Sequence, residues 1–203
     1  MLGLSTGLVY PNYIEEGIVP VDVNRTGLIR GTDSTTFSTT RQNGDSNFVT
    51  DNVGDNQAVQ YILTSGARGD TNRIQRAYFH FDVSSVSGAS SGVFRLTFVS
   101  NTADLIGIKS TAFGGDGGTA LHVNDYFSSL DYSTTYTVEL STSSTGEIDI
   151  TLTSGAITDI NNNDDFTMAL VEHTHDFGNS VAGSGVSESS SINFPAGMQL
   201  VLE

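Results

Sequence analysis

Short segments that alternate apolar and polar residues recur along this sequence, and they constrain the fold more than any other feature. In RAYFHFDV (76–83), Phe79, Phe81 and Val83 point to one side of an extended chain and the residues between them point to the other. Gly, Ser, Asn and Asp clusters separate such segments, as expected of turns. The sequence therefore predicts an all-β sandwich or barrel. The predicted strands are residues 58–64, 76–83, 92–99, 105–113, 135–140, 146–152, 166–172 and 198–203.

Helices are expected to be few and short. Residues 122–130 and 154–162 could each form a helical turn, the second with Ser154 as its N-cap. The Ser-rich segments 141–146 and 184–191 have the composition of loops. No repeat is found along the chain, which argues against a propeller or a β-helix.

The first 30 residues differ from the rest because they hold two prolines and show no sustained period. We predict an extended N-terminal arm over residues 1–30, followed by a β domain over residues 31–203. The arm either packs on its own domain or lies on a neighbouring subunit, and the sequence leaves both open. Its candidate interface anchors are Leu4, Leu8, Val9, Tyr13 and Ile14.

Charge and composition exclude several classes of function. The net charge is −15, with 23 Asp and Glu against 8 Lys and Arg, so phosphate backbones and anionic membranes would repel the protein. We therefore expect neither nucleic acid nor membrane as a partner. Cysteine is absent, which excludes disulfides and thiolate metal sites. Apolar runs are too short to span a membrane, and the N-terminal residues lack the pattern of a signal peptide.

Two histidines lie close together in LVEHTHDF (170–177), which raises the question of a metal site. On a strand, His173 and His175 would point to the same face and could supply two ligands, whereas a zinc site needs three or four. His80 or His122 would have to supply the rest, and no spacing indicates this. We therefore expect strand-end histidines and no metal or cofactor.

Other candidate chemistry is equally unspecific. Residues 114–119 and 161–166 resemble calcium loops only in composition, and the sequence has no nucleophile elbow and no carboxylate pair that stands out. The chain is therefore not expected to be an enzyme. Tyr126, Phe127 and Tyr132 could be exposed enough to stack on sugars.

Several motifs, in their order along the chain, resemble DNRLRE-type jelly-roll domains found in virion structural proteins of tailed bacteriophages. The central one is RIQRAYFHFDVSSVSGASSGVFRLTFV (73–99), in which a strand ending in Phe81-Asp82 is followed by a Ser-rich turn and the strand of Phe94-Arg95-Leu96. Residues 106–115, 121–131, 166–177 and 198–203 extend the similarity over about residues 33–203. The departure is the segment between Phe177 and Met198, which lacks an expected aromatic strand.

The resemblance implies a jelly-roll β-sandwich and a location in the virion. The expected function is a capsid decoration (cement) subunit, attached through its N-terminal arm to major capsid or tail proteins. Such subunits form homo-oligomers, often trimers. The alternative is a tail-associated carbohydrate-binding module whose rim is formed by Tyr126, Tyr132, His173 and His175.

Overall fold

The computed structural model describes residues 17–51, 57–67, 69–113, 120–141, 145–183, 185–193 and 197–203. The strands are β1 (Gly17–Pro20), β2 (Thr26–Gly31), β3 (Gly44–Asp51), β4 (Gln57–Thr64), β5 (Thr71–Asp82), β6 (Gly92–Asn101), β7 (Leu105–Ser110), β8 (Leu130–Thr135), β9 (Gly146–Thr151), β10 (Asp165–Glu172), β11 (Ser187–Ile192) and β12 (Gln199–Leu202). The helices are α1 (Phe37–Gln42), α2 (Asp125–Ser128) and α3 (Ser154–Asn162), and His173–Phe177 form a π-helical turn.

These strands form one antiparallel sheet, so the protein is all-β as predicted. Its main path runs β1-β12-β6-β11-β4-β5-β10-β7-β8, while β2 joins β5 to β3 and β9 pairs with β6. The sheet folds back on itself. The rings of Phe79 on β5 and Phe94 on β6 lie 5.2 Å apart although two strands separate them in the path. The architecture is therefore sandwich-like, with a first core between the two halves of the sheet.

A second core covers the opposite face of β5, β10 and β7. Alternation on β5 sends Phe79 and Phe81 into the first core and Ile74 and Tyr78 into the second. The sequence predicts the two faces correctly, but burial of the second face was not foreseen. α1, α2 and residues 111–113 supply the covering layer, through side chains such as Phe37 and Phe113.

The predicted boundary of the arm differs from the structure. Residues 17–30 include β1, which pairs with β12, and most of β2, which pairs with β3 and β5. Val19 and Leu28 from these strands are buried in the first core. This stretch lacks clear alternation because β2 is buried on both faces. Residues 1–16, and with them Leu4, Leu8, Val9, Tyr13 and Ile14, lie outside the described residues.

Two further segments differ from the sequence-based prediction. The Ser-rich stretch predicted as a loop contains β11, which forms because β4 and β6 offer backbone partners on both of its sides. Residues 135–140 do not continue as a strand. β8 ends at Thr135, and Thr137 and Leu140 form only isolated bridges.

Candidate functional site

A buried ion pair joins the outer layer to the sheet. Arg76, on β5, is fully buried in the second core. Its Nε donates to Asp176 Oδ2 at 2.6 Å and its Nη2 donates to Asp176 Oδ1 at 2.7 Å, which is a bidentate arrangement. Burial alone would lower the pKa of Arg76, but the Asp176 carboxylate and nearby tyrosine hydroxyls outweigh it and hold that pKa well above its ordinary value.

The same guanidinium binds backbone carbonyls in both covering helices. Arg76 Nη2 donates to the carbonyl oxygen of Arg41 in α1 at 2.9 Å, and Nη1 makes a short hydrogen bond to the carbonyl oxygen of Tyr126 in α2. The guanidinium carbon lies 4.0 Å from the centroid of the Tyr126 ring. One cation therefore positions α1, α2 and the 173–177 turn against β5.

The turn that carries Asp176 depends on Glu172. Its buried carboxylate accepts backbone hydrogen bonds from Thr174 (2.6 Å), His175 (2.7 Å) and Asp176 (2.9 Å). A side-chain acceptor of this kind offers the backbone an alternative to the strand ladder, so the chain turns at residue 173. Asp176 is thereby directed inward to Arg76.

Glu172 also belongs to a cluster of ionisable side chains behind the turn. Burial raises the pKa of Glu172 to about 7; the backbone N–H donors lower it, and a hydrogen bond with the Glu188 carboxyl raises it. His175 Nε2 lies 3.7 Å from Glu188 Oε1, and the His175 ring packs 4.6 Å from that of Tyr61. Glu172 is therefore the member of this cluster that exchanges its proton near neutral pH.

The two histidines of the LVEHTHDF segment do not share a face. His173 Nδ1 lies 3.3 Å from Glu139 Oε1, and its ring stacks on Phe177. His175 instead faces Tyr61 and Glu188. The strand geometry that would align them ends at Glu172 because the π-helical turn begins at the next residue.

The other two histidines lie in separate places. His80 is buried on β5, where its Nε2 is 2.6 Å from Asp165 Oδ1 and 2.7 Å from Arg25 Nη1. His122 Nδ1 accepts from the backbone N–H of Asn124 at 3.1 Å. Within the described ranges, His, Asp and Glu form no group of three or more that could hold a metal ion.

The aromatic rim proposed for carbohydrate binding is not assembled as expected. Tyr126 is only 1% exposed, and its hydroxyl donates to the Thr40 carbonyl at 2.8 Å within the second core. Tyr132 is half-buried and donates to Asp176 Oδ1 at 3.0 Å. Both tyrosines therefore support the buried ion pair, because the covering layer turns them toward β5.

Of the two candidate calcium segments, only residues 161–166 lie in the described part of the chain. Residues 114–119 lie outside the described residues. In 161–166 two amide side chains are engaged in hydrogen bonds to the backbone. Asn163 Nδ2 donates to the Asp159 carbonyl at 2.7 Å, and the Asn161 amide accepts from the N–H of Ala89 and donates to its carbonyl. This segment is the end of α3 and the turn into β10.

Comparison with known proteins gives no assignment. No protein-family model matches the chain, and no curated protein matches it. In the part of the chain that the structure describes, no helix is both long and apolar enough to cross a membrane. The structure defines a class: an all-β protein with a folded antiparallel sheet. A layer of short helices and turns covers one face of this sheet, and a buried ion pair binds that layer to it.

The sequence analysis missed the residues at the centre of this site. Glu172 ends a mostly apolar strand and Arg76 directly precedes the apolar residues 77–79. A charged residue next to such a run is a signal of a buried partner. The partner itself could not be read from the sequence, because Asp176 lies 100 residues beyond Arg76.

Proposed function

We propose that this chain is a structural protein of a tailed-bacteriophage virion, with a jelly-roll type of β-sandwich, that acts as a capsid decoration subunit. It would bind other virion proteins as a homo-oligomer through its N-terminal segment, and no catalytic step is assigned to it. The motifs over about residues 33–203 that resemble such proteins motivate the proposal.

The observation that carries the proposal is how the ionisable side chains are used. Three of the buried charged groups, Arg76, Asp176 and Glu172, bind the turn and the helices of the covering layer to the sheet. His80 similarly bridges β5 to Asp165 at the start of β10. Side chains that could perform acid–base chemistry thus serve to fasten the covering layer, as suits a subunit that must resist mechanical load.

The surroundings of β1 favour attachment through the N-terminal segment. β1 stands at one end of the main path and follows directly after residues 1–16. Ile18 on this strand is 57% exposed, and a groove of about 220 Å³ beside it is lined by apolar residues that include Val86 and Leu202. An exposed sheet edge with apolar side chains is a common site of protein association.

Deletion of residues 1–16 tests the proposal while leaving β1 in place. We expect the shortened protein to keep its β-sheet circular dichroism and its unfolding midpoint but to fail to co-sediment with undecorated capsids of the phage that encodes it. Full-length protein should saturate the particles at a fixed copy number. Saturation by the shortened protein at the same copy number would refute attachment through this segment.

Point variants separate attachment from folding. Leu8→Asp should reduce capsid binding because it places a charge on a candidate anchor, whereas Ser5→Asp adds the same charge at a polar position and should not. Equal binding by both variants and the unmodified protein would contradict the proposal. Light scattering of the free protein measures whether it forms the expected oligomer.

A further inference from the structure

A cleft of about 680 Å³ opens between the C-terminal end of α1 and α2. Its volume lies within the range of small-molecule sites. The start of β3 forms part of the wall. The polar and aromatic side chains that line it are Gln42, Asn43, Ser46, Asn124, Phe127 and Ser128.

The lining of this cleft is neutral, although the chain as a whole carries a net charge of −15. Carboxamides and hydroxyls both donate and accept hydrogen bonds, so they match ligands that present many hydroxyl groups. Phe127 adds a half-buried aromatic ring to the wall. A phosphorylated ligand would call for Arg or Lys in the wall, and a cationic ligand for Asp or Glu.

The walls of the cleft are held in place from beneath. Gly44 lets α2 approach β3 closely, since a Cβ at this position would lie 2.8 Å from Val123 Cγ2. Arg76 binds a carbonyl oxygen in each of the two walls, those of Arg41 and Tyr126. A ligand would therefore meet a preformed cleft and would spend little free energy on ordering it.

Phe127 is positioned as a stacking platform. The centroid of its ring lies 5.8 Å from that of Tyr132 and 5.5 Å from the Arg41 guanidinium carbon, so its orientation is fixed by packing. The Gln42 and Asn124 side chains lie on opposite walls, at the end of α1 and the start of α2. A saccharide ring could stack on Phe127 while its hydroxyls bond the amides on either side.

We propose that this cleft binds a neutral saccharide, with Phe127 as the stacking residue and Gln42 and Asn124 as hydrogen-bonding residues. The site differs from the rim of Tyr126, Tyr132, His173 and His175 expected from the sequence. It is independent of capsid decoration, because the cleft lies in the outer layer of the described body and not in residues 1–16.

The first test screens the full-length protein on an array of bacterial and plant oligosaccharides and titrates the neutral oligosaccharide that binds best by calorimetry. Phe127→Ala should weaken binding about tenfold or more, through loss of the stacked ring. Phe48→Ala is the matched control, because Phe48 is 42% exposed on β3 and does not line the cleft. Absence of binding to every neutral saccharide, or equal losses in both variants, would overturn the proposal.

The second test changes the charge of the wall without disturbing the core. Gln42 is exposed at the last residue of α1, so Gln42→Lys and Gln42→Glu should both fold normally. Both should weaken binding of the neutral oligosaccharide severalfold, because each removes the carboxamide. Tighter binding of an acidic oligosaccharide than of the neutral one by the unmodified protein would overturn the assignment of a neutral ligand. Unchanged capsid binding by these variants would show that the two functions are separate.

Discussion

At the scale of single residues, the buried Arg76–Asp176 pair couples three parts of the outer layer to β5. Both side chains are fully removed from solvent, so their attraction is offset by the cost of desolvating two charges. The net contribution of such a pair to stability is small when it is intact. Substituting only one of the two residues is costly, because the charge of the other then remains buried without its partner.

Arg76→Met should therefore lower the free energy of unfolding by about 3–5 kcal/mol, measured by urea denaturation. Arg95→Met is the matched control: the Arg95–Asp149 pair is also bidentate, at 2.7 and 2.8 Å, but lies on the surface. Its loss should cost about 1 kcal/mol or less. Combining Arg76→Met with Asp176→Asn should cost less than the sum of the two single changes, and strict additivity would contradict a coupled pair.

The burial of Glu172, together with its contact to Glu188, should make stability depend on pH. The pKa of Glu172 rises from its ordinary 4.5 to about 7 in the folded protein, first because the group is buried. The folded state therefore binds this proton more tightly than the unfolded state. Its contribution is fully present below pH 4.5 and is lost as the pH rises through 7, by up to about 3 kcal/mol.

Glu188→Gln should reduce this pH dependence. The new amide can donate to Glu172 without a shared proton, so the pKa of Glu172 should fall and the free energy of unfolding should change less between pH 5 and 8. Glu139→Gln is the control, because Glu139 pairs with the other histidine of the turn, His173. Denaturation curves across this pH range measure both variants; identical slopes in the Glu188→Gln and unmodified proteins would contradict the shared proton.

At the scale of elements, α3 shows how a one-residue shift in a cap changes the expected mutational effect. The composition of residues 154–162 predicts a helical segment, and the structure has α3 at Ser154–Asn162. The predicted cap, Ser154, is instead the first helical residue. Thr153 Oγ1 accepts from the Ala156 N–H at 3.3 Å and donates to the Thr135 carbonyl at 2.7 Å, so it caps the helix and ties it to β8.

Thr153→Ala should accordingly lower the free energy of unfolding by about 1–2 kcal/mol, through loss of the cap and of the bond to β8. Ser154→Ala should change it by less than about 0.5 kcal/mol, since alanine is favourable inside a helix. Thermal unfolding of the two variants gives the comparison. A larger loss for Ser154→Ala would contradict the assignment of the cap.

The 173–177 turn is the element that sequence periodicity describes least well. The sequence predicts a strand over residues 166–172, which agrees with β10. Extending that strand through His173 and His175 gives the expectation of two histidines on one face. The chain instead bends after Glu172, because that carboxylate satisfies three backbone N–H groups at once. Periodicity carries no information about such a side-chain acceptor.

At the scale of the whole molecule, β5 is the strand on which both cores depend. Ala77, Tyr78 and Phe79 pair with β2 on one side and β10 on the other. The side chains of Tyr78 and Phe79 enter opposite cores. Opening this segment would expose both layers, so it should open only when the whole domain unfolds.

Hydrogen exchange of the backbone amides tests this expectation. Backbone amides of residues 77–79 should exchange only through global unfolding, with a free energy close to that from denaturation. Amides of residues 47–50 in β3, which pairs only with β2 among the described strands, should exchange by local opening and faster by orders of magnitude. Equal protection of the two segments would contradict local opening of β3.

The sequence by itself determined the all-β class and the inward face of β5 and β6, because alternation in extended chains depends only on local geometry. Phe79, Phe81, Phe94 and Leu96 are buried as that geometry requires. Three features depend on tertiary structure alone: the burial of the second core, the strand in the Ser-rich segment 187–192, and the pairing of Arg76 with Asp176. Each of these depends on partners far apart in the chain, and burial by a distant segment leaves no local period to detect.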